Sequence, residues 1–189
     1  WVEARQAELL PIPYFHVVFT LPHALNPLAQ RCPRVVYTLL FQCASATLQS
    51  FARDPRHLGG ELGLTAVLHT WGQTLEQHLH LHCVVTGGAL APDGSRWIPT
   101  RRRSFLFPVR ALAKVFRGKY LAALAQASSR GQLPPDAPGP DLLRKLRGTP
   151  WVVYAKPPFG GPEQVLAYLG RYTHRIALSN HRLLAFHDG

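Results

Sequence analysis

The sequence predicts an α+β domain built around an antiparallel sheet. Three observations carry that expectation. Strand-like and helix-like stretches follow one another in mixed order along 189 residues. The strand candidates between 63 and 99 are joined by short turns, which suits antiparallel neighbours and is too short for a parallel crossover. Hydrophobic residues make up 47% of the chain, enough for one compact core rather than a disordered chain.

The elements follow in order. PYFHVVFTLP (13–22) is rich in β-branched and aromatic residues, is bounded by prolines, and reads as a strand. A long helix is expected from about 26 to 53, with Asn-Pro at its start and Asp-Pro at its end, and with Pro33 near the first turns of the main helix. Residues 63–73 read as a second strand, and HLHLHCVVTGG (78–88) as a third that ends in a Gly-Gly turn. ALAPDGSRWIP (89–99) carries a Pro-Asp-Gly turn between apolar flanks and predicts a hairpin. A basic cluster, Arg101, Arg102 and Arg103, comes next. PVRALAKVFRGKYLAALAQASS (108–129) has helical spacing, and GQLPPDAPGP (131–140) is a proline-rich loop. WVVYAKP (151–157) is another strand. GGPEQVLAYLGRYTHR (160–175) is a helix opened by Pro162 with Glu163 beside it, and IALSNHRLLAFHDG (176–189) reads as a hairpin.

Composition narrows the function. The formal charge is +11, which favours a polyanionic partner, most simply nucleic acid, over an inert basic surface. Cys32, Cys43 and Cys83 form no C-x-x-C pair, so neither a disulfide framework nor a thiolate zinc site is indicated. Buried free thiols in a reducing compartment are expected instead. No run of 18 apolar residues occurs, so no membrane span is expected. The chain has no Met and no secretory leader pattern, which predicts a fragment of a longer protein.

Side chains alternate along a strand, so His78, His80 and His82 project to one face while Leu79, Leu81 and Cys83 project to the core. Two imidazoles separated by one residue can ligate the same divalent cation. A His-x-His pair is weak evidence alone, since the chain holds 10 histidines and a solvated polar face has the same look. On the preceding strand, alternation puts His69, Trp71 and Gln73 on one face, and the short connection brings Gln73 towards His80 and His82. Gln73, whose carboxamide oxygen is a modest ligand, and its rivals His69 and Glu76 are the candidates for a third ligand.

Tyr168 and Tyr172 stand at i and i+4, on one face of a helix, with Arg171 and Arg175 near that face. A tyrosine pair at this spacing is commonly an ordinary aromatic stripe. Beside a metal site and arginines it can also attack a phosphodiester. Trp71, Trp97 and Phe107 are candidates for base stacking, although packing is the commoner role for each.

Three motifs thus occur in one order: Phe-Thr-Leu-Pro on the first strand, His-Leu-His on a central strand, and Tyr-x-x-x-Tyr on a late helix. The set resembles the HUH endonucleases, in which U is a hydrophobic residue. More narrowly, PYFHVVFTLPHALN, HTWGQTLEQHLHLHCVVTGG and YLGRYTHRIALSN resemble the two-tyrosine transposases of bacterial rolling-circle insertion sequences, the IS91 group. The resemblance covers nearly the whole chain. It implies a ferredoxin-like antiparallel sheet with the histidine pair on a central strand. It implies nicking and rejoining of single-stranded DNA through a 5′-phosphotyrosine, with Mg²⁺ or Mn²⁺ as cofactor.

Carried onto this sequence, Tyr168 and Tyr172 are the nucleophiles, and His80, His82 and Gln73 the metal ligands. Arg171, Arg175, Arg101, Arg102, Arg103 and Lys156 are the DNA contacts. The implied partners are single-stranded transposon ends and target, with a homo-oligomer as a further expectation, and the implied place is the bacterial cytoplasm and nucleoid. Residues 1–189 are expected to be one catalytic domain, with the family's zinc-binding region ahead of it and a C-terminal part both outside the chain. A rolling-circle replication initiator, and a DNA-binding fragment without activity, are the alternatives. A zinc hydrolase would need a carboxylate base near the histidines, for which Glu76 is the candidate.

Overall fold

The computed structural model describes residues 2–72, 76–157 and 161–170. Its centre is a four-stranded antiparallel sheet of β1 (Tyr14–Thr20), β2 (Leu64–Trp71), β3 (Gln77–Thr86) and β6 (Val152–Lys156), in the order β2-β3-β1-β6. β1 and β2 run parallel with β3 between them, and β3 and β6 run parallel with β1 between them. Two split β-α-β units therefore interlock, which is the ferredoxin-like arrangement with the histidine strand in the interior of the sheet. A small ribbon of β4 (Gly88–Leu90) and β5 (Trp97–Pro99) is inserted after β3, as the Pro-Asp-Gly turn predicts.

Two long helices, α3 (Pro33–Arg53) and α4 (Val109–Ser129), cover one face of the sheet. Every second strand residue points at them: Phe15, Val17 and Phe19 from β1, Leu79, Leu81, Cys83 and Val85 from β3, and Val153 from β6 are all buried. Leu40, Ala44 and Leu48 of α3 and Leu112, Phe116 and Tyr120 of α4 meet them at helical spacing. Phe19 and Phe116 pack edge to face at 4.9 Å between ring centroids. The buried Tyr120 hydroxyl donates to the Val36 carbonyl (3.2 Å), so its polar tip is satisfied. By length and composition α3 would also suit a membrane span, but its apolar stripe is spent on this core.

The helix expected from 26 to 53 is broken once. α2 (Asn26–Arg31) ends at Cys32, whose extended φ of −135° is what a residue before proline adopts, and Pro33 opens α3 at its first position. Two short helices were not expected from the sequence. α1 (Val2–Ala7) and α5 (Pro140–Gly148) are both too short and polar to show a clear apolar period, although Pro140 and Asp141 are an N-terminal signature. All three cysteines are free thiols, as expected, with Cys43 and Cys83 buried.

Among the described residues, the other face of the sheet is only half covered. The short helix α6 (Pro162–Gly170) lays Leu166 and Leu169 on Tyr14, Val67 and Val84, and α1 backs it. The Tyr14 hydroxyl accepts from the Leu10 amide at 2.9 Å and ties the N-terminal segment to this layer. The rest of this face carries the histidines. The expected hairpin at 176–189 lies outside the described residues.

The buried row of β3 packs into the core against α3 and α4, so Leu81→Ala should cost about 2–5 kcal/mol in urea unfolding. A cost below about 1 kcal/mol would mean that this row is not packed as described.

Candidate metal centre

Cross-strand neighbours in an antiparallel pair share a face. On β3, His80 lies opposite His69 of β2 and Thr20 of β1, and His82 lies opposite Val67 and Val18. His16 of β1 lies opposite Val84 on one side and Lys156 of β6 on the other. The antiparallel register thus gathers His16, His69, His80 and His82 on the half-open face.

His69, His80 and His82 each place a ring nitrogen within 4.8 Å of the other two, a spacing suited to one metal ion. Their ring centroids are 4.4 Å (His69–His82), 4.8 Å (His80–His82) and 5.2 Å (His69–His80) apart. Two further contacts bear on the tautomers. His80 Nδ1 donates to the His78 carbonyl at 2.8 Å, which leaves its Nε2 with a lone pair. His82 Nδ1 lies 2.7 Å from His16 Nε2, with the two rings stacked at 11°. If His82 donates in that bond, its Nε2 is also left with a lone pair.

That Nε2 is buried and has no hydrogen-bond partner among the described residues. A buried polar atom without a partner is costly, and a cation would satisfy it. The charge state agrees. His82 is pushed down to about 2, by burial first and then by His69, His80 and His16. His69 is lowered to about 4, by burial first and then by His80 and His16. His80 and His16 are also lowered, again mainly by burial. The cluster is therefore neutral near pH 7, which is the state that ligates. The donor set fits a divalent metal. Three imidazoles suit Mn²⁺ and the later first-row ions better than Mg²⁺, which prefers oxygen.

Among the described residues, the structure brings His69, one of the two rivals to Gln73, to the pair. The alternation that pointed from His69 through Trp71 to Gln73 is interrupted by a β-bulge after His69, so that Trp71 pairs with Gln77 instead of His78. Gln73 itself lies outside the described residues. Glu76 is described and is not part of the cluster. His78 is turned to another partner: its Nδ1 lies 3.0 Å from His23 Nε2.

The sequence reading missed His16 and His23. A period-two reading of PYFHVVFT places His16 with Val18 and Thr20, but only the β1–β3 register shows that this row faces the histidine strand.

Tyr168 stands on α6 between the two residues that anchor the helix, Leu166 and Leu169. It is half-exposed, and its ring centroid lies 6.3 Å from His69 and 6.4 Å from His82. Tyr172, Arg171 and Arg175 lie outside the described residues. Lys156 shares the histidine face, with its ammonium 5.4 Å from the centre of the Tyr154 ring. Arg101, Arg102 and Arg103 are exposed on the loop after β5. Arg101 and Arg102 line a cavity of about 370 Å³ with Arg56, His57 and Phe105, at the C-terminal end of α3. They stand on the helical side of the sheet, away from the histidine face. Of the stacking candidates, Phe107 is a core residue and Trp97 packs in the ribbon close to Gly88, while Trp71 is exposed.

The antiparallel sheet thus carries an imidazole cluster across β2 and β3, with the tyrosine helix α6 laid beside it. Residues 63–189, about two thirds of the chain, match the profile of the family described as "Putative transposase". The chain belongs to this transposase family. It is 52% identical over 198 residues to "Putative transposase y4qJ" of Sinorhizobium fredii (strain NBRC 101917 / NGR234), a match that covers 100% of this chain and 50% of that protein. It is 27% identical over 194 residues to the transposase for insertion sequence element IS801 of Pseudomonas savastanoi pv. phaseolicola, covering 100% of this chain and 46% of that one. The chain thus spans about half the length of the curated relatives it matches. Among solved structures, the metal-bound conjugative relaxase TrwC in complex with oriT DNA aligns with a TM-score of 0.44 and 13% identity, over 82% of this chain and 69% of that one.

Two measurements check the centre. In calorimetric titration with Mn²⁺, His16→Ala should weaken binding about 10- to 100-fold, and His69→Ala, His80→Ala and His82→Ala should each weaken it more. Unchanged affinity in His69→Ala would remove that residue from the ligand set. The second is pH dependence without metal. In the unfolded chain these imidazoles titrate near 6.5, whereas folded His69 and His82 titrate at about 4 and about 2. Below 6.5 the unfolded chain therefore binds more protons than the folded one, so stability rises with pH in that window. The melting temperature should be highest above pH 6.5 and fall as pH drops towards 4, and a flat profile would contradict the buried neutral cluster.

Proposed function

We propose that this chain is the strand-nicking and strand-joining domain of a single-strand DNA transposase. The observation that carries the reading is Tyr168, held by α6 beside the His69–His80–His82 cluster on an open sheet face, in a chain of the transposase family.

The chemistry is a phosphodiester exchange. The Tyr168 oxygen attacks phosphorus, a P–O bond to tyrosine forms, and the bond to the 3′ oxygen breaks. The phenol loses a proton and the departing 3′ oxygen gains one, so the step is balanced. One ester replaces another, and the reverse step can join the phosphate to a new 3′-OH. Tyr172 would serve as the second nucleophile, which lets two strands be held at once.

His69, His80 and His82 would hold the divalent cation, Mn²⁺ or Mg²⁺, with Gln73 retained from the sequence as a further ligand. When bound, such an ion supplies Lewis-acid polarisation of a phosphoryl oxygen. The remaining work falls to the chain. α6 fixes the backbone of Tyr168 against Tyr14, Val67 and Val84, so the nucleophile is positioned before substrate arrives. Lys156 and Tyr154 offer a cation and an aromatic face on the same side of the sheet. Arg171 and Arg175 would hold flanking phosphates. Arg101 and Arg102, which stand on the helical side, and the exposed Arg103 beside them would take phosphates of a more distant stretch of the same DNA.

The test mixes the protein with labelled single-stranded DNA and Mn²⁺ and resolves the products on a denaturing gel. A metal-dependent covalent adduct is expected. Tyr168→Phe should remove the part made by that residue, the double Tyr168→Phe/Tyr172→Phe variant should make none, and His80→Ala should lower the yield about 100-fold or more. Full adduct formation in the double variant would sink the assignment.

A further inference from the structure

A second feature adjoins the histidine cluster. Where β1, β3 and β6 meet at the end of the sheet nearest His80, a cavity of about 410 Å³ opens between the sheet and the C-terminal end of α5. Pro22, His23, His78, Lys145, Trp151 and Val152 line it. Its walls are fixed. The Trp151 ring is buried, and its Nε1 donates to the Leu146 carbonyl at 3.0 Å. His23 and His78 hold each other edge to face through their 3.0 Å contact. Lys145 and Val152 are exposed at the mouth.

We propose that this cavity takes one base of the single-stranded DNA, next to the nucleotide whose phosphate lies at the histidine cluster. The inference rests on the function proposed above and adds a recognition site to it. Three observations carry it. The cavity adjoins the cluster: the His78 and His80 rings are 5.1 Å apart, and Thr20, a lining residue, is the cross-strand neighbour of His80. It combines flat aromatic and proline surfaces with a few polar groups, as a site for a planar heterocycle does. Its charge suits the backbone of that ligand, because Lys145 stands at the mouth and no carboxylate is among the described lining residues.

The experiment separates base from backbone without requiring cleavage. Fluorescence anisotropy compares a thymidine oligonucleotide about 20 nucleotides long with an abasic strand of the same length. The wild-type protein should prefer the strand with bases. Val152→Trp places a bulky side chain at the mouth from an exposed strand position. It should lower affinity for the thymidine strand about 10-fold, a typical value for one lost stacked base, and leave the abasic strand nearly unaffected. Lys145→Gln should weaken both strands alike. Mn²⁺ affinity in Val152→Trp should stay at the wild-type value, which separates an effect of this cavity from damage to the cluster. Wild-type protein that does not distinguish the strands, or Val152→Trp that binds both like the wild type or weakens both equally, would overturn the proposal. Absence of a covalent adduct with base-dependent binding intact would instead overturn the nicking reading alone.

Discussion

The register of β3 between β1 and β2 is the constraint on which the rest depends. One row of the strand, Leu79, Leu81, Cys83 and Val85, fills the core against α3 and α4. The alternate row, His80 and His82, faces the half-open side. A slip of one residue would drive two imidazoles into the core and put the leucines on the surface. Burial of the apolar row therefore fixes which face the histidines occupy, and the contacts of His80 with the His78 carbonyl and of His82 with His16 orient their rings. Pairing on both sides of the strand does the rest, because it sets His69 opposite His80 and His16 two pairs further along.

Gathering imidazoles on a partly buried face has a cost, and the structure keeps it small by keeping the rings neutral. Burial is the largest cause of each lowered histidine, and neighbouring rings add to it. A cluster held neutral presents lone pairs instead of repelling charges. His16 completes the arrangement by engaging one nitrogen of His82, so that the other points into the cluster. The half-cover provided by α6 belongs to the same design. It buries Tyr14, Val67 and Val84, which would otherwise be an exposed apolar strip, and it brings Tyr168 beside the rings. The other half of the face is open among the described residues, with Tyr154, Lys156 and the cavity at His78 along it.

The strand HLHLHCVV showed its two faces without any structure, because period-two alternation follows from backbone geometry alone. The same holds for the four main strands, the two long helices and the ribbon after β3, each of which has a clear period or a turn signature. α1 and α5 were not legible, since a helix of one or two turns gives too few residues for a period to emerge. The third histidine was legible only as a possibility. The bulge after His69 is a local departure that composition does not announce.

What the sequence by itself determined is the chemistry: which strand carries imidazoles, which helix carries tyrosine, a basic surface, and membership in a transposase family. These follow from residue type and short-range spacing. Only the tertiary structure decided which residues meet. His69 and His16 join His80 and His82 because of strand order and register, properties of pairs of segments distant in the chain. Arg101, Arg102 and Lys156 look alike as basic residues, yet they part to opposite sides of the sheet because one follows the ribbon and the other lies on β6. Long-range pairing is set by the burial of many side chains at once, and no single stretch contains that information.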